Sequence, residues 1–207
     1  MLHDDLWQRN SDLVRKCLSH PFVRGVADGS LDRDAFKRYI AQDAFFLRAF
    51  FRAYAVAAAK GDDLVQACTF WRLMEGVLDE LKLHAKYSKD LGIDLSIVEP
   101  LPAARAYTDF LVRTAWHNGV DQIVAAMVPC MRLYAFLGQK LAPCVHSEHP
   151  FQKWIATYSG DEFEVLAAEL EALLDALAQD TPQVRNAYRY AMQCEVQFFT
   201  APLEAPQ

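Results

Sequence analysis

The sequence predicts an all-α fold, on three observations. Glycine and proline number only 8 and 9 in 207 residues, while Ala, Leu, Glu, Gln, Arg and Lys are plentiful. Apolar residues recur at three- and four-residue spacing along most of the chain. Asp, Ser and Thr stand where such stretches begin, and Gly or Pro where they end. The length allows one sizeable core, and no Pro/Gly/Ser-rich linker divides it, so residues 1–207 read as a single domain.

A first amphipathic helix is expected from about Asp4 to His20, through Leu6, Leu13, Val14, Cys17 and Leu18, and Pro21 ends it. Pro21 to Ser30 reads as a link closed by the turn signal Ala27-Asp28-Gly29-Ser30. Leu31 to Lys60 reads as a long helix with Asp32 and Asp34 as cap candidates and Gly61 as its stop. Its apolar face runs Phe36, Tyr39/Ile40, Phe46/Leu47, Phe50, Tyr54 and Ala57, and Asp43 fills the missing step. Asp62 or Asp63 caps a third helix to about Asp90, with Leu64, Cys68, Trp71, Met74/Glu75, Leu78 and Leu81 expected inward.

A proline-bounded loop follows over Asp90–Pro102, then a helix over Ala103–His117 through Tyr107, Phe110/Leu111 and Thr114. The next helix, from about Asp121 to Leu141, carries Ile123, Met127, Cys130, Tyr134 and Leu137 on one face. Pro129 inside it predicts a kink or local opening. His146 and His149 read as solvated loop residues, and Phe151–Tyr158 as a short helix or turn. Glu162–Ala178 is amphipathic through Phe163, Leu166, Leu170, Leu173/Leu174 and Leu177. Thr181-Pro182 opens the last helix, whose inward face is Val184, Ala187/Tyr188, Ala191/Met192, Glu195 and Phe198/Phe199.

A net charge of −6 without a basic run gives no footprint for nucleic acid or an anionic membrane. Five cysteines, widely spaced and without a C-x-x-C pair, argue against a disulfide framework or a structural zinc. The N-terminus has acids where a signal peptide needs a basic head, and no apolar run is read as approaching membrane-spanning length. The expectation is a cytoplasmic protein with reduced thiols.

Asp43, Cys130 and Glu195 thus lie on three helices, each on a face that should point inward, with tyrosines at 54, 107, 134, 158 and 188 around them. A buried ionised carboxylate costs several kcal/mol unless paired or neutralised. For Asp43 a helix-to-helix hydrogen bond and a ligand-facing acid carry equal weight, and Cys130 taken alone fits a small buried hydrophobe. No Ser-His-Asp arrangement, phosphate loop or dinucleotide fingerprint is present. What remains is a thiol nucleophile assisted by carboxylates, in a site suited to a flat heteroaromatic ligand. A metal reading would use Glu75, Glu80 and His84, but the carboxylate-bridged di-iron pattern needs Glu-x-x-His on two helices, and no histidine follows His149.

Gln42-Asp43 before an aromatic pair, Pro129-Cys130-x-x-x-Tyr134 with Gly138 beyond, Trp154-x-x-x-Tyr158-x-x-Asp161-x-Phe163, and Glu195-x-x-Phe198 together resemble thiaminase II, the TenA-type aminopyrimidine aminohydrolases. The resemblance runs from Leu6 to Phe199 and points to the branch that keeps the cysteine. It implies a haem-oxygenase-like helical bundle, a homotetramer, no cofactor and no metal. The implied substrates are 4-amino-5-aminomethyl-2-methylpyrimidine and thiamin, both converted to the 5-hydroxymethyl pyrimidine in thiamin salvage. By resemblance Cys130 is the nucleophile, Glu195 the acid/base, and Asp43 holds the exocyclic amine and helps deprotonate the thiol. Phe46, Tyr107, Tyr134 and Tyr158 match substrate-binding positions. Phe46 stands where many members carry tyrosine, and Phe199 where tryptophan is common. With two carboxylates near it and only Arg132 as a sequence-adjacent cation, Cys130 is expected to rest as a thiol. Readings of other classes are a non-haem iron oxidase on the same fold, through Glu75, Glu80 and His84, and a non-catalytic pyrimidine-binding or regulatory protein.

Overall fold

The computed structural model describes residues 1–95, 97–146 and 148–204. Among them are α1 (Leu2–Arg9), α2 (Ser11–Leu18), α3 (Pro21–Asp28), α4 (Arg33–Lys60), α5 (Leu64–Leu91), α6 (Pro102–His117), α7 (Val120–Leu141), α8 (Gln152–Ser159), α9 (Asp161–Leu177) and α10 (Pro182–Glu204), with a 3-10 turn over Ala142–Cys144. No strand occurs among the described residues, as the all-α reading expects.

The capping chemistry follows the sequence. Asp32 accepts from the amides of Asp34 and Ala35 at 3.0 and 2.9 Å to start α4, and Asp63 accepts from Gln66 at 2.8 Å to start α5. Gly92 ends α5 at φ +70°, a conformation that favours glycine. Thr181 accepts from Val184 at 3.3 Å at the head of α10.

Two N-terminal expectations change. The first helix is divided at Asn10, a buried residue whose side-chain nitrogen donates to the Leu6 carbonyl at 2.8 Å and whose side-chain oxygen, Oδ1, accepts from Arg189 at 3.1 Å. The side chain competes for the backbone acceptor and breaks the run. The link after Pro21 is a helix, with Pro21 at its first position, the His20 ring accepting from Phe22, and Gly29 closing it at φ +78°.

α7 is the axis. It packs against α4, α6, α8, α9 and α10, and Ile123–Met127 are almost wholly inaccessible. A helix surrounded by others is apolar all round. The stretch Val120–Cys144 accordingly meets the length and hydropathy of a membrane span, which corrects the reading that no run approaches that length, and most of it is buried within the protein. The helix is continuous through Pro129.

α5 is helical where expected but turned about its axis. Leu64, Cys68, Trp71, Glu75 and Leu78 form an exposed stripe, while Phe70, Leu73/Met74, Val77, Leu81 and His84 face in. The error has a physical source, because both stripes of α5 are apolar and local periodicity does not say which one meets α4. His149 is likewise buried rather than solvated, its Nε2 donating to the Ala27 carbonyl at 3.1 Å and its Nδ1 accepting from Phe151 at 3.2 Å. These bonds fasten the loop before α8 onto the end of α3.

Gly138 sets the approach of α8 to α7. A Cβ there would lie 2.3 Å from the Tyr158 carbonyl carbon and 2.5 Å from the Ser159 nitrogen, contacts that backbone cannot relieve by rotating a side chain. Gly138→Ala should therefore push α8 away. The expected loss is about 1–3 kcal/mol or more in urea unfolding, accompanied by lost ligand affinity, because Tyr158 moves with the helix.

Candidate active site

Helices α4, α5, α7, α8 and α9 enclose a cavity of about 560 Å³. Its wall includes Asp43 and Phe46 from α4, Glu80 from α5, Cys130 and Tyr134 from α7, and Tyr158 from α8. Five of the seven residues singled out from sequence thus line one chamber. The other two, Glu195 and Tyr107, stand behind the wall: Glu195 is 1% exposed and close enough to Cys130 for each to shift the other's pKa, and the Tyr107 hydroxyl donates to its Oε1 at 2.8 Å.

The aromatic side is held from behind. The Tyr134 ring lies against Tyr158 and Trp154 at centroid distances of 4.8 and 5.9 Å, and Phe46 against Tyr107 at 4.8 Å. The Trp154 indole donates to the Tyr39 hydroxyl at 3.3 Å, and Tyr39 in turn lies 3.1 Å from the Tyr134 hydroxyl. Phe199 packs on Tyr39, Tyr134 and Phe22, a packing role. Phe46 offers a ring face and no hydroxyl.

Sequence reasoning left out the fourth side. The His84 Nε2 lies 2.8 Å from Asp43 Oδ2, joining α5 to α4, and the Tyr158 hydroxyl donates to Glu80 Oε1. Misplacing the inward face of α5 hid both residues, which appeared only as metal candidates. The signal available was their place on the Phe70, Leu73, Val77 stripe, an acid and a histidine one turn apart on an apolar face. Glu75 is exposed on the opposite face, so the trio Glu75, Glu80 and His84 does not assemble. Asp43, Glu80 and His84 instead bring three potential donor atoms within 4.8 Å of one another, and all three side chains are engaged in hydrogen bonds within the protein. Arg132, the one cation near Cys130 in sequence, turns to α9 and pairs with Glu171 and Glu164 at 2.6 and 2.8 Å.

The electrostatics follow from burial. Desolvation pushes the Glu195 carboxyl up to about 8, with the Tyr107 and Cys130 hydrogen bonds opposing and the Asp43 charge adding. Glu80 rises to about 7, through burial and the Asp43 charge, against the pull of His84 and Tyr158. Burial works against charge on His84, and the Asp43 hydrogen bond and the charges of Asp43 and Glu80 outweigh it, raising its pKa to about 9. Burial, then the charges of Glu195, Glu80 and Asp43, hold the Cys130 thiol well above its ordinary range. At neutral pH the chamber therefore combines a protonated thiol, a protonated Glu195 and a His84 cation against Asp43. It can take a flat ring, supply and withdraw protons at sulfur, and accept from an amine.

The family model described as TENA/THI-4/PQQC matches residues 7–205. The chain is 35% identical over 180 residues to the aminopyrimidine aminohydrolase of Halalkalibacterium halodurans, covering 84% of this chain and 80% of that one. It is 35% identical over 224 residues to the Arabidopsis thaliana bifunctional TH2 protein, spanning 93% of this chain but only 36% of that longer protein. A TenA family transcription regulator from Silicibacter sp. TM1040 superposes with a TM-score of 0.93 at 24% identity, over 99% and 97% of the two chains. A Shewanella denitrificans domain with a heme oxygenase-like fold does so at 0.78 and 14% identity, over 97% and 91%. The helical bundle is thus haem-oxygenase-like.

Two measurements check these electrostatics. The rate of Cys130 alkylation in the free protein should keep climbing through pH 9, with no plateau below it, since the thiolate forms only at high pH. Glu195 keeps its proton to about pH 8 in the folded state and loses it near 4.5 when unfolded, so folding weakens as pH rises between those values. Glu195→Gln should therefore stabilise the protein at pH 8 by about 1 kcal/mol or more, about 2–4 °C in Tm, and clearly less at pH 5.

Proposed function

The chain belongs to the TENA/THI-4/PQQC family, and from its site we propose that it is an aminopyrimidine aminohydrolase of the thiaminase II type. The observation that carries this reading is the Cys130 thiol at the wall of an aromatic cavity that Asp43 also lines, with the buried Glu195 carboxyl behind it and near enough to raise the thiol's pKa. The substrates are 4-amino-5-aminomethyl-2-methylpyrimidine and thiamin. The pyrimidine lies between the rings of Phe46, Tyr134 and Tyr158, and Asp43 accepts from its exocyclic amine.

The proton inventory supports covalent catalysis. As the Cys130 sulfur bonds to the ring, the displaced electron pair moves to a ring nitrogen and the proton leaving sulfur ends on that nitrogen, with Glu195, behind the sulfur, as the acid/base that exchanges protons with it. The net change is one S–H exchanged for one N–H. The pair then returns as the ring N–H gives up its proton; the amine takes that proton and leaves the neighbouring methylene as ammonia, while the thiazole of thiamin leaves as a neutral ring and the proton is released. Water adds to that methylene and gives up one proton. The C–S bond breaks, the sulfur regains its proton through Glu195, and the ring becomes aromatic again. Overall an amine and water become an alcohol and ammonia.

A resting thiol suits this order, because a permanent thiolate would have no proton to hand over and would be open to oxidation. Copies of the chain associate through apolar surface, for which the exposed α5 stripe of Leu64, Trp71 and Leu78 is available.

Incubation with each pyrimidine, followed by chromatography of the hydroxymethyl product, tests the activity. Turnover should be lost in Cys130→Ser and should fall about 100-fold or more in Glu195→Gln. Equal rates in wild type and Cys130→Ser would rule out covalent catalysis.

A further inference from the structure

The hydrogen-bond partners of His84 fix where its protons sit. Its Nδ1 lies 2.9 Å from the main-chain carbonyl of Glu80, which can only accept, so Nδ1 carries hydrogen. Its Nε2 lies 2.8 Å from Asp43 Oδ2, so one more proton sits between ring and carboxyl. An ordinary imidazole is more basic than an ordinary carboxylate by about two pKa units. The surroundings favour the same placement. The Tyr39 hydroxyl lies 3.5 Å from the same Oδ2, in a position to donate to it, and Glu80 adds a second acid beside the ring. Both partners are almost fully buried, with side chains 2% and 6% exposed, so neither water nor salt screens the pair.

We propose that His84 is a positioning residue which, donating through both ring nitrogens, keeps Asp43 ionised and oriented so that its second oxygen, Oδ1, accepts the exocyclic amine of the pyrimidine.

The inference rests on the proposed pyrimidine site and adds to it the cation that the site otherwise lacks. Both hydrogen bonds that the protein makes to the Asp43 carboxyl among the described residues end on Oδ2, and Asp43 lines the cavity. Four acidic or thiol groups, Asp43, Glu80, Cys130 and Glu195, interact across this chamber. With one buried cation, only one of them needs to be charged at rest, and contact assigns that charge to Asp43. Glu195 is left as a proton donor. The groups facing the ring are Asp43 from α4, Glu80 and Tyr87 from its own helix, and Tyr158 of α8 beyond Glu80. None of these can replace the cation.

The test has two parts, the first independent of activity. Long-range nitrogen–proton NMR of the wild-type protein, histidine-labelled with 15N, should show both ring nitrogens of His84 protonated from pH 6 to 8. In Asp43→Asn one of them should lose its proton within that range. A neutral His84 ring in the wild type at pH 6 to 8 would overturn the proposal, whatever the enzyme does.

The second part compares His84→Gln, which keeps a donor but not the charge, with the wild type on the aminomethyl pyrimidine. Losing the cation changes the charge balance of the chamber, so the acid limb of kcat/KM should move up by about one pH unit or more, with much of the loss recovered by about pH 7.5, before Glu195 gives up its proton. An equal loss at every pH would mean that His84 only packs. Activity removed by a chelator and restored by a divalent cation would also overturn the proposal, since Nε2 would then hold a metal and not a proton. A wild type inactive on both pyrimidines would refute the proposed function and leave the NMR result to decide on His84.

Discussion

Everything at this site depends on the cost of putting charge into a chamber walled by aromatic rings. Asp43, Glu80, Cys130 and Glu195 are all removed from bulk water, and desolvation is the first cause of each resolved shift among the last three. A medium that disfavours ions permits few of them, and each one present must be matched by contact. His84 against Asp43 meets that requirement with a single pair. Cys130 and Glu195 respond by keeping their protons, the starting state that thiol and acid chemistry needs. What a soluble protein would ordinarily pay to avoid is here the source of reactivity.

The second constraint is steric, and it runs through α7. This helix is buried on nearly all sides and carries Cys130 and Tyr134 one turn apart, so it has little freedom to shift the sulfur. Gly138, one turn after Tyr134, lets the α8 backbone come within a distance that any side chain would forbid. That approach brings Tyr158 to the cavity and Trp154 to Tyr39. The bond from Trp154 to Tyr39 and the contact of Tyr39 with Tyr134 then brace the aromatic wall from outside. The wall is rigid because polar tips and ring faces are both satisfied in the same place.

Arg132 illustrates how contact overrides proximity. Two residues from Cys130 in sequence, it is committed to Glu164 and Glu171 and holds α7 against α9. The side chain leaves on the opposite face of the helix, as a spacing of two residues dictates. The cation that matters at the site comes from a residue 46 positions away from Cys130 in the chain, on α5.

The sequence by itself determined the helices, their caps and the presence of three polar intruders on inward faces. Those features are local: a 3.6-residue period, an oxygen able to reach a free amide, and a glycine where φ turns positive. The family resemblance was legible for the same reason, since its motifs sit within single helices. Tertiary structure alone decided the rest. It placed Glu195 behind Cys130 rather than in the cavity wall, set which stripe of α5 turns inward, split the first helix at Asn10 and buried His149. It also brought His84 to Asp43 across 41 positions of chain. A helix with two apolar stripes offers two faces of similar hydrophobicity, and only the neighbour that covers one of them selects it. The charge state of a buried group likewise belongs to its neighbours in space, which periodicity along one helix cannot specify.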